Sequence, residues 1–263
     1  MEEKKKNQFN KIKHKILILS GKGGVGKSTV SVNISSTLKS LGYKVGLLDI
    51  DLHGPSISKM VGVEDRRIEL DDNNLMKPVL TEGGIKTLSL SMLVEKSDSP
   101  IIWRGPLKIK AIQQFFDDVN WGELDFLIID SPPGTGDEPL TILQQIEGVT
   151  GVVIVTTPQE VSTSDVARSI NFVKMVGGEI LGLIENMSYF VCPVCKTQHK
   201  IFGEGGGERL AKRYNIDNFV KIPLDKELVE LSDSGKPYVE TYPDSEIYKI
   251  FENFIKNMIT KIE

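Results

Sequence analysis

Two short stretches carry residues whose types and spacing could do chemistry. The first is Gly21-Lys22-Gly23-Gly24-Val25-Gly26-Lys27-Ser28, followed by Thr29, which matches G-x-x-x-x-G-K-[ST]. Glycines let successive backbone N–H groups curl around phosphate oxygens, and the start of a helix adds its dipole to that attraction. In such a loop Lys27 reaches the β- and γ-phosphates and the Ser28 hydroxyl ligates Mg²⁺. With glycine near ~7% of average composition, chance matches arise in on the order of one chain in a hundred. A strand directly before and a helix directly after make chance rarer still. Nucleotide binding is therefore expected, and no N-K-x-D element of guanine-specific proteins is present, so ATP is the expected nucleotide.

The second stretch is Phe190-Val191-Cys192-Pro193-Val194-Cys195-Lys196, which holds both cysteines of the chain. A lone C-x-x-C admits several readings: a redox pair, two inert buried thiols, or part of a metal site. Pro193, Lys196, Thr197 and Gln198 read as an exposed loop, which disfavours burial. A zinc site recruiting His199 would have three ligands, one short of a closed tetrahedron.

Three carboxylates fit the phosphate loop. Asp130 ends the apolar run Phe126 to Ile129, where a carboxylate beside such a loop coordinates Mg²⁺. Asp49 and Asp51 end another apolar run in the same way. Asp51, further into the loop, is the one expected to touch the metal region and orient the attacking water. One Asp at a strand end is usually a turn former or helix cap; three at neighbouring strand ends favour function.

Elements must hold these residues in place. Ile16 to Leu19 reads as a first strand, and a helix runs from Ser28 to a stop at Gly42. Val45 to Leu48 reads as the next strand, with others over 85–90, 126–129, 152–156, 180–184 and 219–222. Helices are expected around 107–116, 138–147, 161–176, 204–213 and 244–262, and 62–84 reads as a surface insertion. Short continuous apolar strands alternating with helices give an α/β fold, a mostly parallel central sheet with helices on both faces. Residues 16–263 form one expected domain, after a basic, solvated lead-in over 1–15 that need not be ordered.

The 263 residues are 40% hydrophobic and 26% charged, with net charge −4. That excludes a global electrostatic pull towards nucleic acid or anionic lipid. No apolar run reaches the ~18 residues of a membrane span, and the lead-in lacks the apolar stretch of a secretory signal. Two cysteines form no disulfide framework. A cytoplasmic location is expected.

Lys22 after the first glycine makes the loop resemble the deviant Walker A group of dimeric ATPases, which includes the nitrogenase iron protein, arsenite-pump ATPases, MinD and ParA. In that group the extra lysine reaches a partner's phosphates, tying charge stabilisation to dimer closure. Further stretches are DIDLHGPSIS at 49–58, WRGPL at 103–107, DFLIIDSPPGTGDEPLTI at 125–142, VTTPQ at 155–159, IENMSYFVCPVC at 184–195 and IFGEGGGERLA at 201–211. With these the chain from residue 16 onward resembles the Mrp/ApbC family of iron–sulfur cluster carriers, which are P-loop NTPases of three-layer α/β/α fold.

The resemblance implies a homodimer that hydrolyses ATP and carries a [4Fe–4S] cluster between its subunits, held by Cys192 and Cys195 of each, for delivery to apo-proteins. A two-fold axis brings identical patches face to face, and four thiolates suit a cluster or zinc equally. By the same resemblance Asn186, Pro223 and Asp225 flank the adenine. No cysteine precedes Cys192, so no second cluster per chain is expected, and Ser131 stands where many relatives have leucine.

Rival readings are a MinD- or ParA-like spatial organiser and an electron-transfer ATPase with a resident cluster. The first draws on an apolar stripe, Ile247, Ile250, Phe251, Phe254, Ile255, Met258, Ile259 and Ile262, which could lie on a membrane. Its other face mixes Lys and Glu, so a core-packing helix is the plainer expectation. Arg104 reads equally as a functional cation or a structural ion pair.

Overall fold

The computed structural model describes residues 9–51, 54, 56–93, 112, 115–134, 143–144, 146 and 148–263. The expected helices at 107–116 and 138–147 fall mostly outside these residues, and Arg104 with the rest of WRGPL falls wholly outside them.

In chain order the first elements are β1 (Ile12–Ser20), α1 (Lys27–Ser40), β2 (Val45–Asp49), α2 (Ile57–Met60), β3 (Glu69–Leu70), β4 (Met76–Lys77), β5 (Val79–Leu80), β6 (Lys86–Ser89) and β7 (Leu124–Asp130). They are followed by β8 (Gly151–Thr156), α3 (Glu160–Met175), β9 (Ile180–Glu185), β10 (Phe190–Val191), β11 (Gln198–His199), α4 (Gly206–Tyr214) and β12 (Phe219–Lys221). The C-terminal helices are α5 (Lys226–Asp233), α6 (Tyr238–Thr241) and α7 (Glu246–Ile262).

Eight strands form one sheet in the order β12-β9-β8-β1-β7-β2-β6-β5. Every neighbouring pair is parallel except β5 with β6. Alternate residues of each strand go to opposite faces. Ile16, Ile18, Phe126, Ile128 and Val153 meet Val30, Ile34 and Leu38 of α1 and Phe251, Phe254 and Met258 of α7. Leu17, Leu19, Leu127, Ile129 and Ile154 meet Val166, Ile170 and Val173 of α3 on the other side. Two cores, one per face, explain why these strands read as continuous apolar runs.

The expected disorder of residues 1–15 does not extend to its end: a 3₁₀ turn at Phe9–Lys11 precedes β1, which begins at Ile12. Ile12 is buried and pairs with Leu124, Lys13 bonds Asp125 at 2.7 Å, and the Phe9 ring packs edge-on to Phe116. The polar run Lys13-His14-Lys15 made this half-strand look like a solvated tail, although Lys13 alone of the three is exposed and Lys15 is buried. The 62–84 insertion is partly sheet, because β5 adds to the edge at β6 while β3 and β4 form a small hairpin. The stripe on α7 packs inward: Ile247, Phe251, Phe254, Ile255 and Met258 are buried.

The order β8-β1-β7-β2 places β1 at the reversal of strand order, where α/β sheets bind ligands beyond the carboxyl ends. Asp49 and Asp130 end adjacent strands there, with the phosphate loop beside them.

Candidate functional site

The loop between β1 and α1 turns through left-handed backbone at Gly24 (φ 78°) and Gly26 (φ 80°), conformations that disfavour any side chain. Gly26 is doubly constrained, since a Cβ there would come within 2.2 Å of Asn186 Nδ2. A cleft of about 530 Å³ opens over the loop. It is lined by residues 22–29 together with Asp51, Asn186, Pro223 and Asp225. Of the expected nucleotide contacts, Gly21 alone lies behind the cleft wall, against the backbone of Asp165 and Val166 in α3.

Asp130 lies beneath the loop and is fully buried. Its carboxylate pairs with Lys27 Nζ at 2.8 Å and accepts hydrogen bonds from Ser28 Oγ and Ser31 Oγ, each at 2.7 Å. The cation and hydroxyl expected to meet phosphate and metal thus rest on one carboxylate. Ser31 was not among the expected site residues. Its signal is only a small polar residue one turn after Lys27 on the buried face of α1.

Asp49 stands opposite Asp130 and is fully buried as well. Burial, then the Asp130 charge, push its carboxyl up to about 7. It accepts the N–H of Asp51 at 3.0 Å, Ser89 Oγ at 3.0 Å and the N–H of Ile57 at 3.4 Å. Asp49 therefore shapes the turn that carries Asp51 into the cleft, where Asp51 is 8% exposed.

The other expected residues have partners of their own. Asn186 Nδ2 donates to Val25 O at 2.9 Å. Asp225 caps α5, accepting the N–H of Leu228 at 3.1 Å, while also lining the cleft. Lys22 Nζ donates to Gln159 Oε1 of its own chain at 3.2 Å, at the start of α3.

The cysteines lie outside the cleft, at the tip of the β10–β11 hairpin. Cys192 N–H donates to Thr197 O and Lys196 N–H to Cys192 O, both at 2.9 Å, and Lys196 takes left-handed backbone (φ 60°). Both thiols are free, Cys195 is exposed, and Val194 between them is 90% exposed. Cys195 Sγ lies 3.3 Å from Thr197 Oγ1. Hydrogen bonding with the Thr197 side chain, then with its backbone, then with Cys192 brings the Cys195 thiol down to about 7. Among the described residues no group of three or more His, Cys, Asp or Glu could hold a metal, so His199 does not join the pair.

The hairpin root is bonded to the cleft wall. Ser188 N–H donates to Ile222 O at 2.9 Å, Leu224 N–H donates to Tyr189 O at 2.7 Å, and Phe190 bridges to Leu224. Among the described residues no helix is long and apolar enough to cross a membrane.

Comparison with known proteins adds to this geometry. The ParA family model, described as NUBPL iron-transfer P-loop NTPase, matches residues 11–259. An iron-sulfur cluster carrier protein of Methanocaldococcus jannaschii is 50% identical over 262 residues, covering 100% of this chain and 89% of that protein. A cytosolic Fe-S cluster assembly factor NUBP2 homolog of Dictyostelium discoideum is 47% identical over 253 residues, 95% of each chain. Among solved structures, a nucleotide-binding protein from Archaeoglobus fulgidus in complex with ADP superposes with a TM-score of 0.82 at 40% identity. That match covers 95% of this chain and 97% of the other.

Proposed function

The chain belongs to the ParA family of NUBPL iron-transfer P-loop NTPases, and on that premise we propose that it is an ATP-hydrolysing carrier of [4Fe–4S] clusters. Two copies hold one cluster between them through Cys192 and Cys195 of each and pass it to apo-proteins in the cytoplasm. The observation that carries this reading is the exposed two-thiol hairpin, bonded at its root to the nucleotide cleft.

The cargo needs thiolates, and the hydrogen bonds at Cys195 bring that sulfur to about half ionised at neutral pH, far more than an ordinary thiol. Two ligands per chain leave the cargo held only while two chains meet, which suits release. Transfer exchanges these four thiolates for those of the acceptor.

On the nucleotide side, the loop N–H groups of residues 23–28 cradle phosphate, and Lys27 turns from Asp130 towards the β- and γ-phosphates. Ser28 and Asp130 are hard oxygen donors 2.7 Å apart, a set that fits Mg²⁺. Bound there, Mg²⁺ neutralises phosphate charge. Asp51, held by Asp49 at the cleft, orients the attacking water. Lys22 leaves Gln159 to reach the phosphates of the partner copy, so hydrolysis follows dimer closure.

Anaerobic reconstitution with iron and sulfide tests the reading, comparing wild type with the Cys192→Ala, Cys195→Ala double variant. The expected result is a [4Fe–4S] spectrum at about one cluster per two chains, on a dimer, absent in the variant. A cluster that persists in the variant, or a wild type that takes zinc and no cluster, overturns it.

A further inference from the structure

The segment that leaves β9 runs Asn186-Met187-Ser188 and then enters the cysteine hairpin. Asn186 and Met187 line the nucleotide cleft, and Cys192 is six residues beyond Asn186. Met187 holds left-handed backbone (φ 53°), uncommon for a residue with a side chain. The opposite wall of this end of the cleft is Pro223-Leu224-Asp225. That wall also reaches the hairpin, through Leu224 N–H to Tyr189 O and the Phe190–Leu224 bridge. Both walls therefore lead to the same short strand, β10, which Cys192 directly follows.

One side chain ties the phosphate loop to this assembly. Asn186 is buried, its Nδ2 donates to Val25 O at 2.9 Å, and that nitrogen sits where a Gly26 side chain would be. Only an amide nitrogen can face a carbonyl here, because an oxygen would meet it lone pair to lone pair. On the other flank Ser188 Oγ donates to Glu185 Oε1 at 2.6 Å, and Glu185 Oε2 accepts the N–H of Gly207 at the start of α4. Residues 185 and 188 are thus anchored to the protein body, as is the Asn186 backbone, whose N–H donates to Thr156 O at 2.8 Å, whereas the Asn186 side chain is anchored to the loop that must rearrange around phosphates.

We infer that Asn186 is a positioning residue that transmits the state of the phosphate loop to the cysteine hairpin. A phosphate-filled loop moves the Val25 carbonyl, the Asn186 side chain follows it, and the strain falls on Met187 and passes through the Ser188–Ile222 and Tyr189–Leu224 hydrogen bonds to β10. The presentation of Cys192 and Cys195 then differs between empty and filled clefts. This inference rests on the nucleotide-and-cluster reading above and names the path by which its two halves communicate.

The test uses reduced, cluster-free full-length protein and iodoacetamide, reading alkylation of each cysteine by mass spectrometry with and without saturating Mg-ATP. Saturation is set for each protein by equilibrium dialysis. Wild type is expected to change its Cys195 alkylation rate by about fivefold or more, the lower end of usual coupling between sites. In Asn186→Leu, which keeps the bulk and removes the donor, and in Asn186→Ser, which removes the reach, that ratio falls to within about twofold of unity. A purely structural role would lower stability or affinity and leave the ratio at saturation intact. A wild type without a response, or variants with the full response, overturns the inference. Because no cluster is present, either result is separate from the reconstitution that tests the carrier reading.

Discussion

Asp49 and Asp130 stand opposite each other on the parallel strands β2 and β7, both fully buried, with Lys27 and three serine hydroxyls as their polar company. Two carboxylates and one ammonium form a site that is short of positive charge until a cation arrives. Burial first, and then that imbalance, make Asp49 hold its proton to about pH 7.

Stability of the nucleotide-free protein should therefore fall as pH rises from about 4 to about 7. The folded Asp49 carboxyl binds its proton more tightly than the unfolded one, so raising the pH through this window favours unfolding, and the effect levels off above 7. Asp49→Asn should flatten this part of the profile. Urea titrations at pH 5 and pH 8 check it; a wild type more stable at pH 8, with no flattening in the variant, contradicts it.

Asp130→Ala removes the carboxylate shared by Lys27, Ser28 and Ser31, leaving a buried ammonium without its ion-pair partner. Breaking a buried pair on one side costs about 3–5 kcal/mol. Ser31→Ala loses one buried hydrogen bond to the carboxylate and should cost about 1–3 kcal/mol. Chemical denaturation ranks the two, and ATP hydrolysis should be lost in Asp130→Ala.

Cys195 should alkylate faster than an ordinary thiol, with a midpoint near pH 7. Thr197→Val removes the side-chain hydrogen bond that contributes most, so the midpoint should rise towards the usual thiol range and the rate at pH 7 should drop. A pH series of iodoacetamide labelling reads both. An unchanged midpoint in the variant would mean that Thr197 is not the cause.

Phe254 of α7 is fully buried against the sheet. Phe254→Ala should destabilise the fold by about 3–5 kcal/mol, and deleting residues 244–263 should prevent folding. Co-sedimentation of the intact protein with liposomes that depended on this helix would revive the membrane reading.

The phosphate loop was legible in the sequence because its function is local: eight consecutive residues set the backbone path that makes the cradle. The strands ending in Asp49 and Asp130 were legible for a related reason, since burial on both faces writes an unbroken apolar run. Local pattern failed where the polar run Lys13-His14-Lys15 hid the start of β1, and where α5, eight residues after a capping Asp225, offered too short a period to stand out.

What only the tertiary structure decided are the partnerships between distant residues. Ser31 meets Asp130 99 positions away, Lys22 meets Gln159 137 away, and Asn186 meets Val25 161 away. Each residue type was visible in the chain, yet the pairing depends on strand order, which places β7 between β1 and β2 and folds β9 back beside the loop. The two cysteines show the division most plainly. Their spacing left a redox pair, buried thiols and a metal site all open, and the folding of Tyr189 and Phe190 against Leu224 joined the pair to the nucleotide cleft. Spacing along the chain is local geometry, whereas contact across it is set by how the whole sheet closes.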